Sequence, residues 1–106
     1  MTYKATKVVI ITEKVIFDGV ADIIEEMGGT GYTVVAAGGR GSRGVRSASG
    51  ASIVDAFRNI KVEVIVSELA MAEKIADAVA ERYFQNYSGI TYLEEVDILR
   101  PHKFHH

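Results

Sequence analysis

The chain carries one short pattern twice, and this constrains its fold more than any other feature. Val9-Ile10-Ile11-Thr12-Glu13 and Val64-Ile65-Val66-Ser67-Glu68 each close an apolar, β-branched run and open a stretch with helical spacing. A strand that feeds a helix, used twice within 106 residues, predicts two βα units in a single domain over residues 1–106.

The remaining elements follow from periodicity. In the first strand, residues 7–12, Val8 to Ile11 are all apolar, which predicts burial on both faces. The helix after it places Ile16, Val20, Ile23, Ile24 and Met27 on one stripe and Asp22, Glu25 and Glu26 on the other side, and Gly28-Gly29 ends it. Residues 32–37 read as a second strand. Residues 60–66 read as a third, with Val62, Val64 and Val66 alternating against Lys61, Glu63 and Ile65. Ser67 is the predicted N-cap of a second helix. Its buried stripe is Leu69, Ala72, Ile75, Ala76, Val79 and Tyr83, and its wet face is Glu73, Lys74, Asp77 and Glu81. A turn at residues 86–89 leads to a fourth strand over 90–96 that extends toward Leu99, with Pro101 marking its end.

The order βαββαβ predicts an α+β, ferredoxin-like sandwich: a four-stranded antiparallel sheet with two helices on one face. Right-handed crossovers put both helices on the same side, leaving the other face bare. The first strand is apolar on both faces and Ile65 interrupts the polar positions of the third, so this bare face is expected to be apolar. An apolar face of that size predicts a partner, most simply another copy of the chain.

Between the second and third strands lies a loop, residues 38–58. Structureless loops beyond ~12–15 residues are uncommon in compact domains and are usually functional or disordered. Within 39–58 lie four arginines (Arg40, Arg43, Arg46, Arg58) against Asp55, a balance of +3, so the rest of a chain of net charge −2 carries −5. A basic loop on an acidic body suits a small anion or a local acidic partner rather than a long polyanion. Ser42, Arg43 and Arg46, with glycine N–H groups beside them, are what phosphate binding asks for. A flexible, solvated basic loop accounts for the same residues about as well.

Other chemistry is harder to support. Gly39-x-Gly41-x-x-Gly44 has dinucleotide-fingerprint spacing, but Ser47-Ala48-Ser49-Gly50 follows where a helix should start. The Gly-Lys-Ser/Thr ending of a phosphate-binding P-loop is missing, as is the aromatic pattern of an RNA-binding sheet. With no cysteine there are no disulfides, thiolate metal sites or thiol nucleophiles. Glu13 and Glu68 read as first-turn charges favouring the helix dipole, and Glu13, Glu63 and Glu68 are the carboxylates that any metal-assisted hydrolysis would have to use. Asn86-Tyr87-Ser88 matches a glycosylation acceptor by coincidence. His102, His105 and His106 all lie in the tail, and residues 105–106 read as a tag remnant. No run reaches the ~18 apolar residues of a membrane span and no secretory signal is visible, so the expected location is cytoplasmic.

Taken together, Ile11-Thr12-Glu13-Lys14, Gly31-Tyr32-Thr33-Val34, Gly39-Arg40-Gly41-Ser42-Arg43, Val45-Arg46-Ser47, Asn59-Ile60-Lys61 and Tyr92 resemble the SbtB-type PII-like proteins of the PII signalling superfamily. The resemblance runs from Lys7 to about Phe104 and is most specific at the Gly-Ser-Arg-x-Val-Arg-Ser run. It implies a homotrimer that covers the bare sheet face, and adenine nucleotides (AMP, cAMP, ADP, ATP) as effectors in three intersubunit clefts. It also implies a T-loop, residues 38–58, that contacts a sodium-dependent bicarbonate transporter, which makes the protein peripheral at the inner membrane when bound. Ser42, Arg43 and Arg46 match phosphate-contacting positions, Gly89 and Ile90 the segment beside the adenine, and Gly39, Arg40 and Gly41 the loop base. The leading reading is a non-enzymatic sensor without a catalytic cofactor; the sequence offers too few ligands for a metal site, and the net negative charge with no RNP1 pattern speaks against nucleic acid. A carboxysome-associated PII-like sensor of bicarbonate with ADP or AMP, a weak ATP/ADP hydrolase and a trimer of the divalent-ion tolerance type are the alternatives. Gly44 stands where the pattern has Asn, which loosens the loop.

Overall fold

A computed structural model of the chain describes residues 1–38 and 58–99. Strand β1 (Tyr3–Glu13) leads through one turn of 3-10 helix (Lys14–Ile16) into α1 (Phe17–Glu26). Then come β2 (Thr33–Ala37), β3 (Asn59–Val66), α2 (Leu69–Tyr83) and β4 (Gly89–Ile98). The four strands form one antiparallel sheet in the order β2-β3-β1-β4. The predicted ferredoxin-like arrangement is the observed one.

Pleating sorts the strand residues by parity. Val8 and Ile10 of β1 and Ile60, Val62, Val64 and Val66 of β3 pack with Ile16, Val20, Ile23 and Ile24, and with Ala72, Ile75 and Val79 of α2, in a single core. Most of these side chains are fully buried, and each valine or isoleucine contributes about 1.5–3 kcal/mol by leaving water. Met27, Ala76 and Tyr83 pack at the margin of this core, and Asp22, Glu25, Glu26, Glu73, Lys74, Asp77 and Glu81 are exposed, as the spacing predicts. Helix α1 ends as its glycines require. Gly28 takes φ +97°, its N–H donates to the Glu25 carbonyl (3.1 Å), and the Gly29 N–H donates to the Ile24 carbonyl (2.8 Å).

Four expectations are corrected. The N-cap of α2 is Glu68, not Ser67, and no side chain caps it; the Glu68 carbonyl simply accepts the Ala72 N–H (3.2 Å). Leu69 stands outside the buried stripe at 56% exposure, because it occupies the first turn before the helix reaches the core. Strand β1 starts at Tyr3, earlier than the apolar run suggests, because β4 pairs with it from Tyr3↔Ile98 to Thr12↔Gly89. The bare face is not simply apolar: Val9 is buried on it, but Lys7, Glu63, Lys61 and Glu94 share it.

Candidate functional site

Sheet topology gathers one end of the molecule into a candidate site. The C-terminal ends of β1 and β2 and the N-terminal ends of β3 and β4 all lie there, as the register Ala37↔Asn59, Thr12↔Ile60 and Thr12↔Gly89 requires. The chain leaves the sheet at Gly38 and returns at Arg58, so both ends of the segment between them lie at this end. The same order puts β2 and β4 on opposite edges. The β2 limb of the stem, Ala37-Gly38, is therefore about 14 Å from Gly89, three strand spacings, and the β3 limb, Arg58-Asn59, about 10 Å, two spacings.

At the β4 edge, two side chains of β1 hold the entry of β4. The Thr12 hydroxyl donates to the Ser88 carbonyl (2.7 Å). One Glu13 carboxylate oxygen, Oε2, accepts the Ser88 backbone N–H (2.7 Å) and lies 3.4 Å from the Ser88 hydroxyl, which can donate to it. Thr12 is buried and Glu13 half-buried. A charged acceptor makes the Glu13–Ser88 contact stronger than a neutral bond. Gly89 then fits where no side chain would: a Cβ there would overlap the Phe84 ring edge and lie 2.8 Å from Thr12 Oγ1. Glu13 is thus not the helix-dipole charge its position suggested; its carboxylate turns back onto the β4 entry.

Next to this clamp, the open face presents a mixed surface. One row across the sheet reads Val35, Lys61, Ile11, Ile90, and the next reads Thr33, Glu63, Val9, Tyr92. Ile90 is 57% exposed, Val35 50% and Tyr92 39%, so apolar surface flanks a buried Val9. A charge ribbon runs diagonally beyond them. The Lys7 ammonium lies 3.3 Å from Glu94 and 3.8 Å from Glu63, and Lys61 lies 3.4 Å from Glu63. The hydrogen bond to Glu94 raises Lys7 above the ordinary lysine pKa, opposed by desolvation and helped by the charges of Glu63 and Glu94. At the far end of the sheet, Lys4 is raised chiefly by its hydrogen bond to Asp97 and that group's charge, with Glu95 adding to it.

The residues singled out from the sequence divide cleanly. Gly89 and Ile90 stand together at the β4 entry, at the loop end of the sheet. Gly39, Arg40, Gly41, Ser42, Arg43 and Arg46 lie outside the described residues, as do Gly44 and the tail from residue 100. Glu63 is central on the open face, and Glu13, Glu63 and Glu68 do not converge. No cluster of metal-ligating side chains occurs among the described residues. Sequence reasoning missed Thr12, Ser88 and Lys7. The signal for Lys7, a lysine entering an apolar run with acidic partners on both neighbouring strands, is readable only once the register is known.

Comparison with known proteins fits this geometry. The family model for the nitrogen regulatory protein P-II matches residues 5–103. A PII-like signalling protein from Thermus thermophilus is 33% identical, with a TM-score of 0.77 over 97% of each chain. The chain belongs to the P-II family of signalling proteins, which bears out the resemblance drawn from the sequence. Two further structures share its fold. CPII from Thiomonas intermedia K12, bound to ADP and bicarbonate, has a TM-score of 0.81 at 24% identity and covers 99% of this chain and 98% of its own. GlnK from B. subtilis, in complex with ATP, has a TM-score of 0.60 at 20% identity and covers 91% of this chain and 84% of its own. No helix among the described residues is long and apolar enough to cross a membrane.

Proposed function

We propose that this protein is an SbtB-type PII-like sensor. As a homotrimer it binds adenine nucleotides (AMP, cAMP, ADP or ATP) in clefts between subunits, and through its T-loop it regulates a sodium-dependent bicarbonate transporter at the membrane. One observation carries the intersubunit part. The β2 limb of the loop stem, Ala37-Gly38, and Gly89-Ile90 sit at the same end of the sheet but on opposite edges, about 14 Å apart. An AMP-sized ligand touching both is served more simply by the β2 edge of one copy against the β4 edge of the next. The exposed Ile90, Tyr92 and Val35 supply apolar surface for that packing.

In this reading Ser42, Arg43 and Arg46 hold the phosphate, Gly39, Arg40 and Gly41 form the loop base, and Gly89 and Ile90 lie against the adenine. Each charge-assisted bond from an arginine contributes about 1.5–3 kcal/mol where partly desolvated. The nucleotide draws the loop base into one arrangement and shifts the balance of partner-binding states, which requires that it bind one state better. The protein acts by binding rather than by catalysis.

A second reading rests on CPII: the ligand pair is ADP or AMP with bicarbonate, and the chain is a bicarbonate sensor. Calorimetry with each nucleotide, with and without bicarbonate, tests both. The first reading expects saturable binding that the Arg43→Ala, Arg46→Ala double variant loses. Affinity that rises with bicarbonate favours the second. Absence of binding at millimolar nucleotide contradicts both.

A further inference from the structure

We infer that Thr12 and Glu13 are positioning residues for the nucleotide site: together they form a latch that sets the backbone of Ser88-Gly89-Ile90. The inference rests on the reading above that Gly89 and Ile90 border the adenine. It goes beyond that reading in assigning a role to two residues of β1 that need touch no ligand.

The latch works on one residue from both sides. The Ser88 carbonyl accepts from Thr12 Oγ1 (2.7 Å), and the Ser88 N–H donates to Glu13 Oε2 (2.7 Å). Donor and acceptor of a single residue are thereby fixed to two adjacent residues of another strand, 75 and 76 positions away. The Ser88 hydroxyl, 3.4 Å from the same carboxylate oxygen, adds a weaker third contact. Gly89, the next residue, is seated between the Phe84 ring and Thr12 Oγ1 with no room for a Cβ. The backbone that presents Ile90 to solvent thus has little freedom, and binding to a preorganised segment avoids the cost of ordering it. Among the described residues, Thr12 and Glu13 are the side chains seen to bond Ser88.

The test measures ADP binding to the full-length protein by calorimetry for wild type, Glu13→Ala, Glu13→Gln and Thr12→Val. Each variant is measured equally far below its own melting temperature, with its assembly mass checked. Losing one bond to a charged acceptor predicts about tenfold weaker ADP binding for Glu13→Ala. Gln keeps an acceptor oxygen at the same reach, so Glu13→Gln is predicted to stay within about threefold of wild type. This rescue is the readout that general destabilisation would not produce. Thr12→Val keeps shape but loses the donor, predicts a loss of about threefold, and carries the test if Glu13→Ala does not fold. ADP affinity unchanged in Glu13→Ala or Thr12→Val overturns the latch. Equal losses in Glu13→Gln and Glu13→Ala also overturn it, because the charge would then act on the ligand directly. Wild type that binds no adenine nucleotide fails the underlying reading and takes the latch's role with it, an outcome distinct from a variant that matches a binding wild type.

Discussion

At the first βα junction, Glu13 turns its carboxylate onto the Ser88 N–H, Thr12 is buried, and a turn of 3-10 helix intervenes before α1. At the second, Glu68 is exposed with no side-chain cap bond, Ser67 is half-buried, and α2 starts at Leu69 without an intervening turn. The two junctions carry nearly the same five residues. Aligning them pairs Val9 with Val64 and Ile10 with Ile65, an offset of 55 positions, and since 55 is odd the pairs fall on opposite sheet faces. Ile10 is fully buried under the helices, whereas its counterpart Ile65 is half-buried on the open face. A repeated motif therefore does not carry a repeated environment. Strand register sets the opposite phase of the two units, and in the first of them Glu13 reaches β4.

The sharpest way to break this comparison is in the core. Ile10→Ala empties a fully buried position and should cost about 2–5 kcal/mol in urea unfolding, while Ile65→Ala should cost less than half as much. Equal losses would mean that the two positions are equivalent after all. Next comes the glycine at the clamp. Gly89→Ala forces a methyl against Phe84 and Thr12 and should lose about 1–3 kcal/mol, read from the same unfolding curves. A variant as stable as wild type would show that the ring and hydroxyl yield freely.

The acidic pair is a finer instrument. Glu13→Ala strands a bonded backbone N–H and should lower stability by about 1–3 kcal/mol, against a change within about 0.5 kcal/mol for Glu68→Ala. The smallest effect concerns pH. Lys7 and Lys4 have folded pKa values raised above the ordinary 10.5, so their stabilising contribution is complete below 10.5 and is lost as pH rises through the raised values. Melting temperature should therefore show no step from these lysines between neutrality and about pH 10, and a fall above it that Lys7→Met reduces. A fall beginning near pH 8 that Lys7→Met removes would contradict the ion-pair assignment.

Much of this was legible in the sequence, for identifiable reasons. Val62, Val64 and Val66 alternate cleanly, Ile16 to Ile24 follow a helical stripe, and Gly28-Gly29 stops α1, because each signal is local. The latch was invisible because it joins residues 75 positions apart, and Glu13 beside a helix start has a nearer, plainer explanation in the helix dipole. The open face was misread for a similar reason. Val8 to Ile11 looked apolar on both sides, but register sets Lys7 between Glu63 and Glu94, so ion pairs take up part of the surface. Of the candidate site, the sequence puts Ile90 at the start of β4 and Gly89 in the turn before it, whereas the strand begins at Gly89, and it carries no sign of what holds them.

In the proposed function the nucleotide site is built between copies, from the β2 end on one edge of the sheet and the β4 entry on the other. Native mass spectrometry of the intact protein with ADP tests it most directly. The expected result is a trimeric mass carrying up to three ADP molecules, with no ADP on any monomer present. ADP retained by the monomer, or a trimer that takes up none at millimolar ADP, would contradict it.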